Sequence, residues 1–495
     1  MTTQEYLMIA RTPRLIACLT VLLVFLVHLV IAPLLSLGVD EAHYALYALH
    51  PDLSYFDHPP MVGWLQMLVA PLGYNEFSIR LIPALLYAIA SLQVYRLTGK
   101  LYPDGDKNQS LVAVFLLNSA PFLQLMGWGL VPDAPLIVLA LFAIELILKI
   151  SQQYRLKDWL MLGVVFGLAG LSKYTAVFLP LSMTLFLSQQ QGLRWLKQFA
   201  PWLAMVPALV LISPVLIWNS MHDWASFTYQ INHASEGGWS FKNVLMMQVL
   251  QMSCYSILAY IAGIVASIFA LRRGRSADWL VIWSAWPFLL VTTWSAGNGG
   301  LLPNWPAMGW VLLAPLTAHW LCLRWGQVWV KTLALISSIL SVGLIVFIIG
   351  FLMFQPLSFF PFLKPIVRDL VGWDQAARKA KMLLADRGAV DVDSELPVLL
   401  VQNWSRGSRI AWYSRPLKVQ ILSDRNSQFV YWFGKADEST RGILIRDNED
   451  VPVSGIYRTR GLSCQYLEGL DGKMDGVTVN KFHFYWCQPE VKVDL

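Results

Sequence analysis

Between Leu15 and Phe354 the chain returns repeatedly to apolar runs close to 20 residues long. That is the length that crosses a hydrocarbon core of about 30 Å as a helix. The runs fall at 15–37, 79–98, 109–126, 134–150, 159–172, 174–189, 199–219, 244–271, 279–296, 305–322 and 328–354. They predict a polytopic α-helical membrane protein of about eleven transmembrane helices. In 159–189, Lys173 interrupts the apolar stretch, which therefore reads as two short helices meeting at one face. The first run follows Arg11 and Arg14, exceeds a signal-peptide core, and leads into GVDEAHY without a small-x-small cleavage site. It is expected to be an uncleaved first span.

Of the 495 residues, 56% are hydrophobic and 14% charged. Soluble domains carry about 25% charged residues. A soluble enzyme is excluded, and so is a nucleic-acid binder, despite the net charge of +6. The charge is unevenly spread. Residues 1–354 hold 18 Lys/Arg and 14 Asp/Glu, whereas 355–495 hold 19 and 17. The chain should thus divide into a transmembrane domain, 1–354, and a soluble α/β domain, 355–495. In the latter, 396–402, 417–422, 427–434, 442–447 and 481–488 read as strands, and 373–388 as a helix closed by Gly388.

Lysine and arginine collect in cytoplasmic loops. With the N-terminus inside, inner ends and loops hold 15 of them, and outer loops only Arg80, Lys173 and Lys242. A single span over 159–189 would reverse every later loop and spoil this bias. Eleven spans place the C-terminal domain on the periplasmic side. Asp40, Glu41, Asp52, Asp57, Glu76, Asp133, Asp223 and Glu236 all fall outside as well.

Acids contribute little to topology, so their gathering on one face has two readings, solvation or chemistry. The loop 38–78 opens with VDEAHYALYALH, which puts Asp40 and Glu41 at a helix N-terminus. Ala42, Ala45, Leu46 and Leu49 then give one apolar face, as in a juxtamembrane helix lying in the interface plane. Asp40 is either a cap or a reacting carboxylate. FDHPP follows, in which two prolines hold Asp57 and His58 in a fixed turn. Asp133 in GLVPDAPL is either an N-cap or a functional acid next to the apolar zone. Lys173 is either a snorkelling lysine or a cation for an anionic substrate. In the loop 220–243, His222, Asp223, His233 and Glu236 match no fixed metal spacing.

The pair VDEAHYALYA and FDHPP, with PDAPL and GLAGLSKYTAVFLPL, resembles the GT-C glycosyltransferases that use polyprenol-phosphate sugars. Lipid A aminoarabinose transferases and protein O-mannosyltransferases (family 39) belong to that group. The architecture matches over about residues 10–320, and the sharp motifs lie in the first two outer loops and at Lys173. The resemblance implies an inner-membrane glycosyltransferase acting on the periplasmic side. Asp40, Glu41 and Asp133 would be its catalytic acids. Lys173, His58 and Arg80 would face the donor phosphate, and Tyr44 and Asp57 the substrate. His58 stands where the family has lysine and is only partly charged near neutral pH. A divalent metal on Asp57 and His233 is the one cofactor considered. Partners would be an undecaprenyl-phosphate-linked donor, membrane lipids and an acceptor such as lipid A or lipopolysaccharide core, another envelope glycan or a protein.

The chemistry fits those residue types. A departing phosphate needs a cation at its oxygens, and an attacking hydroxyl needs a carboxylate. The alternative is a flippase for lipid-linked sugars, which would bury ionisable groups near mid-membrane. Glu145 is the one acid well inside a span, near its cytoplasmic end. Cys464 and Cys487, in the soluble domain, either form a disulfide or remain free thiols.

Overall fold

The computed structural model describes residues 3–235, 237–299, 302–388, 397–447 and 456–490. The chain forms two compact units. One comprises 1–32, 52–65 and 80–349, and the other 33–51, 66–79 and 350–495. Two stretches of the 38–78 loop are therefore grouped with the C-terminal domain.

The first unit is helical. Among the described residues, six helices are long and apolar enough to cross a membrane, or up to seven if one bent pair counts as a span. The chain is thus a multi-pass membrane protein. The run 244–271 is not one straight helix: Phe241–Cys254 and Ile257–Arg273 meet at 112°. Ser256 sets the break. It sits at φ +71° and its hydroxyl caps the second helix by accepting from the Ala259 amide. The run 109–126 is divided into Gln109–Asn118 and Pro121–Met126, because proline opens a new helix at its first position. The run 159–189 is split as expected. Leu156–Ser172 ends at Lys173, whose backbone is extended, and Phe178–Gln191 follows a 3-10 turn at Tyr174–Val177.

Glycines set the approach of the helix Phe199–Met221 to Leu156–Ser172. A Cβ on Gly163 would lie 2.0 Å from the Ala204 carbonyl oxygen, so a larger residue would push the two helices apart.

The second unit carries a six-stranded mixed sheet. Its strands are β1 (Val398–Val401), β2 (Val419–Ile421), β3 (Gly442–Asp447), β4 (Ile456–Thr459), β5 (Leu462–Met474) and β6 (Val477–Pro489), in the order β2-β1-β3-β6-β5-β4. β1 is parallel to β2 and β3, and the remaining pairs are antiparallel. β1, β2, β3 and β6 and the helix Trp373–Gly388 match the expected elements. Residue 396 of the first expected strand lies outside the described residues.

The strand expected at 427–434 is instead the helix Gln428–Phe433. Its aromatics favour a strand locally. But Phe429, Trp432 and Phe433 stand at helical spacing and pack together, and Gly434 at φ +76° ends the turn. Cys464 and Cys487 stand opposite each other on β5 and β6 and are disulfide-bonded.

Replacing both cysteines by serine should lower the stability of this unit by about 2–4 kcal/mol. Denaturant unfolding of the full chain in detergent, with and without reductant, reads this directly. An identical midpoint in the variant would show that the bridge contributes nothing.

Candidate active site

In the helical unit the sharpest feature is an ion pair. Asp133 is the first residue of the helix Asp133–Gln152, and Lys173 occupies the break after Ser172. The Lys173 ammonium donates to both carboxylate oxygens of Asp133, at 2.8 and 2.7 Å. Asp133 is fully buried and Lys173 is 8% exposed. Either charge alone would be costly here. Paired, and with Asp133 also at a helix N-terminus, both are satisfied. Asn304, just before the helix Ala307–Arg324, donates to Asp133 Oδ2 at 3.2 Å. Tyr255 fixes this loop by donating to the Pro303 carbonyl.

Next to Lys173, the Tyr174 hydroxyl lies 2.6 Å from Ser226 Oγ. Ser226 is tied in turn to the preceding helix, its amide donating to Asn219 Oδ1 at 3.2 Å. The stretch 52–65 is held by the same elements. Trp218 donates to Asp52 Oδ2 at 2.9 Å, Phe56 packs on Tyr229, and Gln230 donates to the Asp57 carbonyl. Asp57 and His58 are half-buried in this frame, and both prolines after them are buried.

From Lys173 a cavity of about 540 Å³ runs between the helices Leu156–Ser172, Phe178–Gln191 and Phe199–Met221. Its lining is almost wholly apolar: Phe166, Gly170, Tyr174, Trp195 and Trp202 are typical. The cavity therefore suits a long hydrocarbon chain with one cation at its end.

Arg80, a further phosphate candidate, is buried. It donates to the Ala32 carbonyl and lies 4.2 Å over the ring of Trp128. His233 falls in the helix Ala225–Ser235, with its side chain outside the described part, and Glu236 lies outside the described residues. Among the described residues no three His, Cys, Asp or Glu side chains converge as metal ligands.

In the other unit, Asp40 and Glu41 stand in the first turn of the helix Val39–Leu49. The cap falls to Glu41, which accepts from the Gly38 amide at 2.9 Å. Asp40 is exposed. The helix was expected to show one apolar face in an interface plane. Instead residues 42–48 are all buried. His43 hydrogen-bonds Ser408 at 3.0 Å and packs against Trp404, and Tyr44 meets His43 and Tyr47 edge-on. His50 stacks on Trp432, and burial pushes its pKa down.

Sequence reasoning found Asp133 and Lys173 separately but not their pairing. It missed Tyr174 and Asn304 altogether. The SKYT break marked the position of Tyr174, whereas nothing local marked Asn304.

Lys173→Met alone should destabilise the protein by about 3–5 kcal/mol, because Asp133 is left buried and unpaired. The double variant Asp133→Asn/Lys173→Met should recover most of that loss. Thermal unfolding of the wild type, the single variants Lys173→Met and Asp133→Asn, and the double variant measures the coupling. Additive losses would mean that the two residues do not form a pair.

Residues 57–218 match the model of the dolichyl-phosphate-mannose-protein mannosyltransferase family. The lipid A galacturonosyltransferase RgtD of Rhizobium johnstonii is 26% identical over 297 residues, 58% of this chain and 61% of that protein. The lipopolysaccharide core galacturonosyltransferase RgtB of the same organism is 25% identical over 250 residues, 49% of each chain. The chain thus spans between half and about three fifths of the length of these relatives. ArnT from Cupriavidus metallidurans, solved bound to undecaprenyl phosphate, superposes with a TM-score of 0.62 at 14% identity, covering 98% of both chains. The Archaeoglobus fulgidus oligosaccharyltransferase reaches 0.50 at 13% identity, over 80% of this chain and 61% of that one. The fold is therefore ArnT-like over nearly the whole chain. Motifs, family model and fold together bear out the resemblance to the GT-C glycosyltransferases that use polyprenol-phosphate sugars.

Proposed function

We propose that this protein is an inner-membrane glycosyltransferase that moves a sugar from a polyprenyl-phosphate carrier to lipid A or the lipopolysaccharide core. The observation that carries the reading is the apolar cavity of about 540 Å³ that ends at Lys173. A polyprenyl tail is a branched hydrocarbon with one anionic end, and the cavity offers the complementary order of surfaces. The relatives named for transfer to lipid A and core supply the acceptor class. The eleven-span topology, with the reaction and the C-terminal domain on the periplasmic side, is part of the same reading.

The transfer is a single displacement. An acceptor oxygen attacks the anomeric carbon, the bond from that carbon to the phosphate oxygen breaks, and the configuration inverts. The acceptor proton goes to a carboxylate, and the carrier leaves as polyprenyl phosphate. Lys173 has three N–H donors and gives two contacts to Asp133. In this reading the remaining one serves the leaving phosphate. Asp133 holds Lys173 in place, and His58 supplies further positive charge. Asp57, in the same turn, orients the sugar, and Tyr44 supports the helix that carries Asp40. Asp40, exposed in the first turn of the helix that carries Tyr44, is the base.

Asp40→Asn should leave the protein folded and reduce transfer on the order of 10²- to 10⁴-fold, the range of general-base contributions. Mass spectrometry of lipid A and core from cells carrying the wild type or the variant reads the transferred sugar. An undiminished product would remove Asp40 from the reaction. Lipid A and core of unchanged mass in cells lacking the gene would remove the acceptor assignment.

Topology has its own test. Single cysteines at Asp104 and Ser439, both exposed, are placed in a background without Cys18, Cys254 and Cys322. An impermeant thiol reagent applied to intact spheroplasts should label position 439 and spare 104. The reverse pattern would invert the protein in the membrane.

A further inference from the structure

The helices Glu76–Leu101 and Asp133–Gln152 carry a second ionic cluster, away from the Asp133–Lys173 pair. Glu145 lies 12 residues after Asp133 on the same helix, about 18 Å along its axis. Its side chain is 4% exposed, and three cations converge on it. Arg96 Nη2 stands at 3.0 Å and Lys149 Nζ at 3.2 Å, and Lys100 Nζ donates to the same oxygen. Gln93 donates to the other oxygen at 2.7 Å. Arg14 is close enough to act electrostatically on Tyr95, beside Arg96.

One carboxylate needs one cation. Three leave a surplus of two positive charges, held at fixed positions by a buried anchor. The cations themselves are not buried: their side chains are 55%, 36% and 43% exposed for Arg96, Lys100 and Lys149. Simple neutralisation of Glu145 does not account for the two in excess.

The helix leading to the cluster adds a second observation. Leu85, Ile89 and Leu92 are exposed at steps of four and three, and Arg96 continues the same stripe. From Leu85 to Arg96 the axis advances about 16 Å, close to half the ~30 Å thickness of a hydrocarbon core. An apolar stripe one leaflet long that ends in fixed positive charge matches a phospholipid with an anionic head group. Free phosphate would use only the end of it.

We propose that Arg96, Lys100 and Lys149, ordered by Glu145, form a binding site for an anionic phospholipid, its head group on the cations and an acyl chain along Leu85, Ile89 and Leu92. Basic pockets between membrane helices recognise anionic lipids by this combination. The site is independent of the transfer reaction.

The full-length protein is incubated in detergent with phosphatidylglycerol and phosphatidylcholine of identical acyl chains, and retained lipid is counted by native mass spectrometry. The wild type should retain phosphatidylglycerol roughly ten- to thirtyfold more strongly, as expected for two surface cations. Arg96→Gln/Lys149→Gln leaves Lys100 and Gln93 on Glu145 and should abolish the preference without changing phosphatidylcholine binding. Should that protein fail to fold, Arg96→Gln alone, at the most exposed cation, should still reduce it severalfold. A preference unchanged in the folded variant overturns the proposal. So does release of the bound lipid by equimolar inorganic phosphate, which would make the site one for a free anion.

Discussion

A lysine cannot sit buried inside a membrane domain as an isolated charge, and the geometry around the cavity follows from how Lys173 is satisfied. Its partner Asp133 opens a helix, where the aligned peptide dipoles favour a carboxylate. Asn304 gives the same carboxylate a further donor. The lysine itself stands where a helix has already ended, and from this extended backbone its side chain reaches across to Asp133. The break is thus a condition of the pair. A continuous helix through 159–189 would keep its side chains in helical register and leave the cation against hydrocarbon.

The cavity depends on the same local design. Gly163 lets the helix Phe199–Met221 come close enough for its carbonyls to occupy the space of a side chain. Further along, the extended backbone at Lys173 and the 3-10 turn at Tyr174–Val177 interrupt the helical run. Tight approach in one place and a helix break in another border an apolar cavity that Lys173 also lines.

Much of this was legible in the sequence, for identifiable reasons. The break in 159–189 was readable because a lysine inside an apolar run conflicts with both hydropathy and topology. The apolar runs were readable because a bilayer demands uninterrupted hydrogen-bonded helix. The kink at Ser256 was not, since a serine in an apolar run reads equally as a back-bonded helix residue. The helix Gln428–Phe433 was misread because aromatic content suggested a strand, although the spacing of Phe429, Trp432 and Phe433 already carried the helical period. The strand β5 was missed because Gly469 and Gly472 and a run of polar residues hide its alternation. The Asp133–Lys173 contact joins residues 40 apart, and Asn304 lies 171 residues from Asp133. No local pattern encodes either; only the packed bundle does.

The structure also separates acids that look equivalent in the sequence. Asp133 is buried and bound to a lysine. Glu41 closes a helix end through the Gly38 amide. Glu145 is surrounded by three cations. Each of these three carboxylates is already committed to a partner that needs its negative charge. Asp40 differs in being exposed, beside a cap that its neighbour makes. Burial and pairing, not residue type, thus distinguish Asp133, Glu41 and Glu145 from an acid on the exposed first turn of its helix.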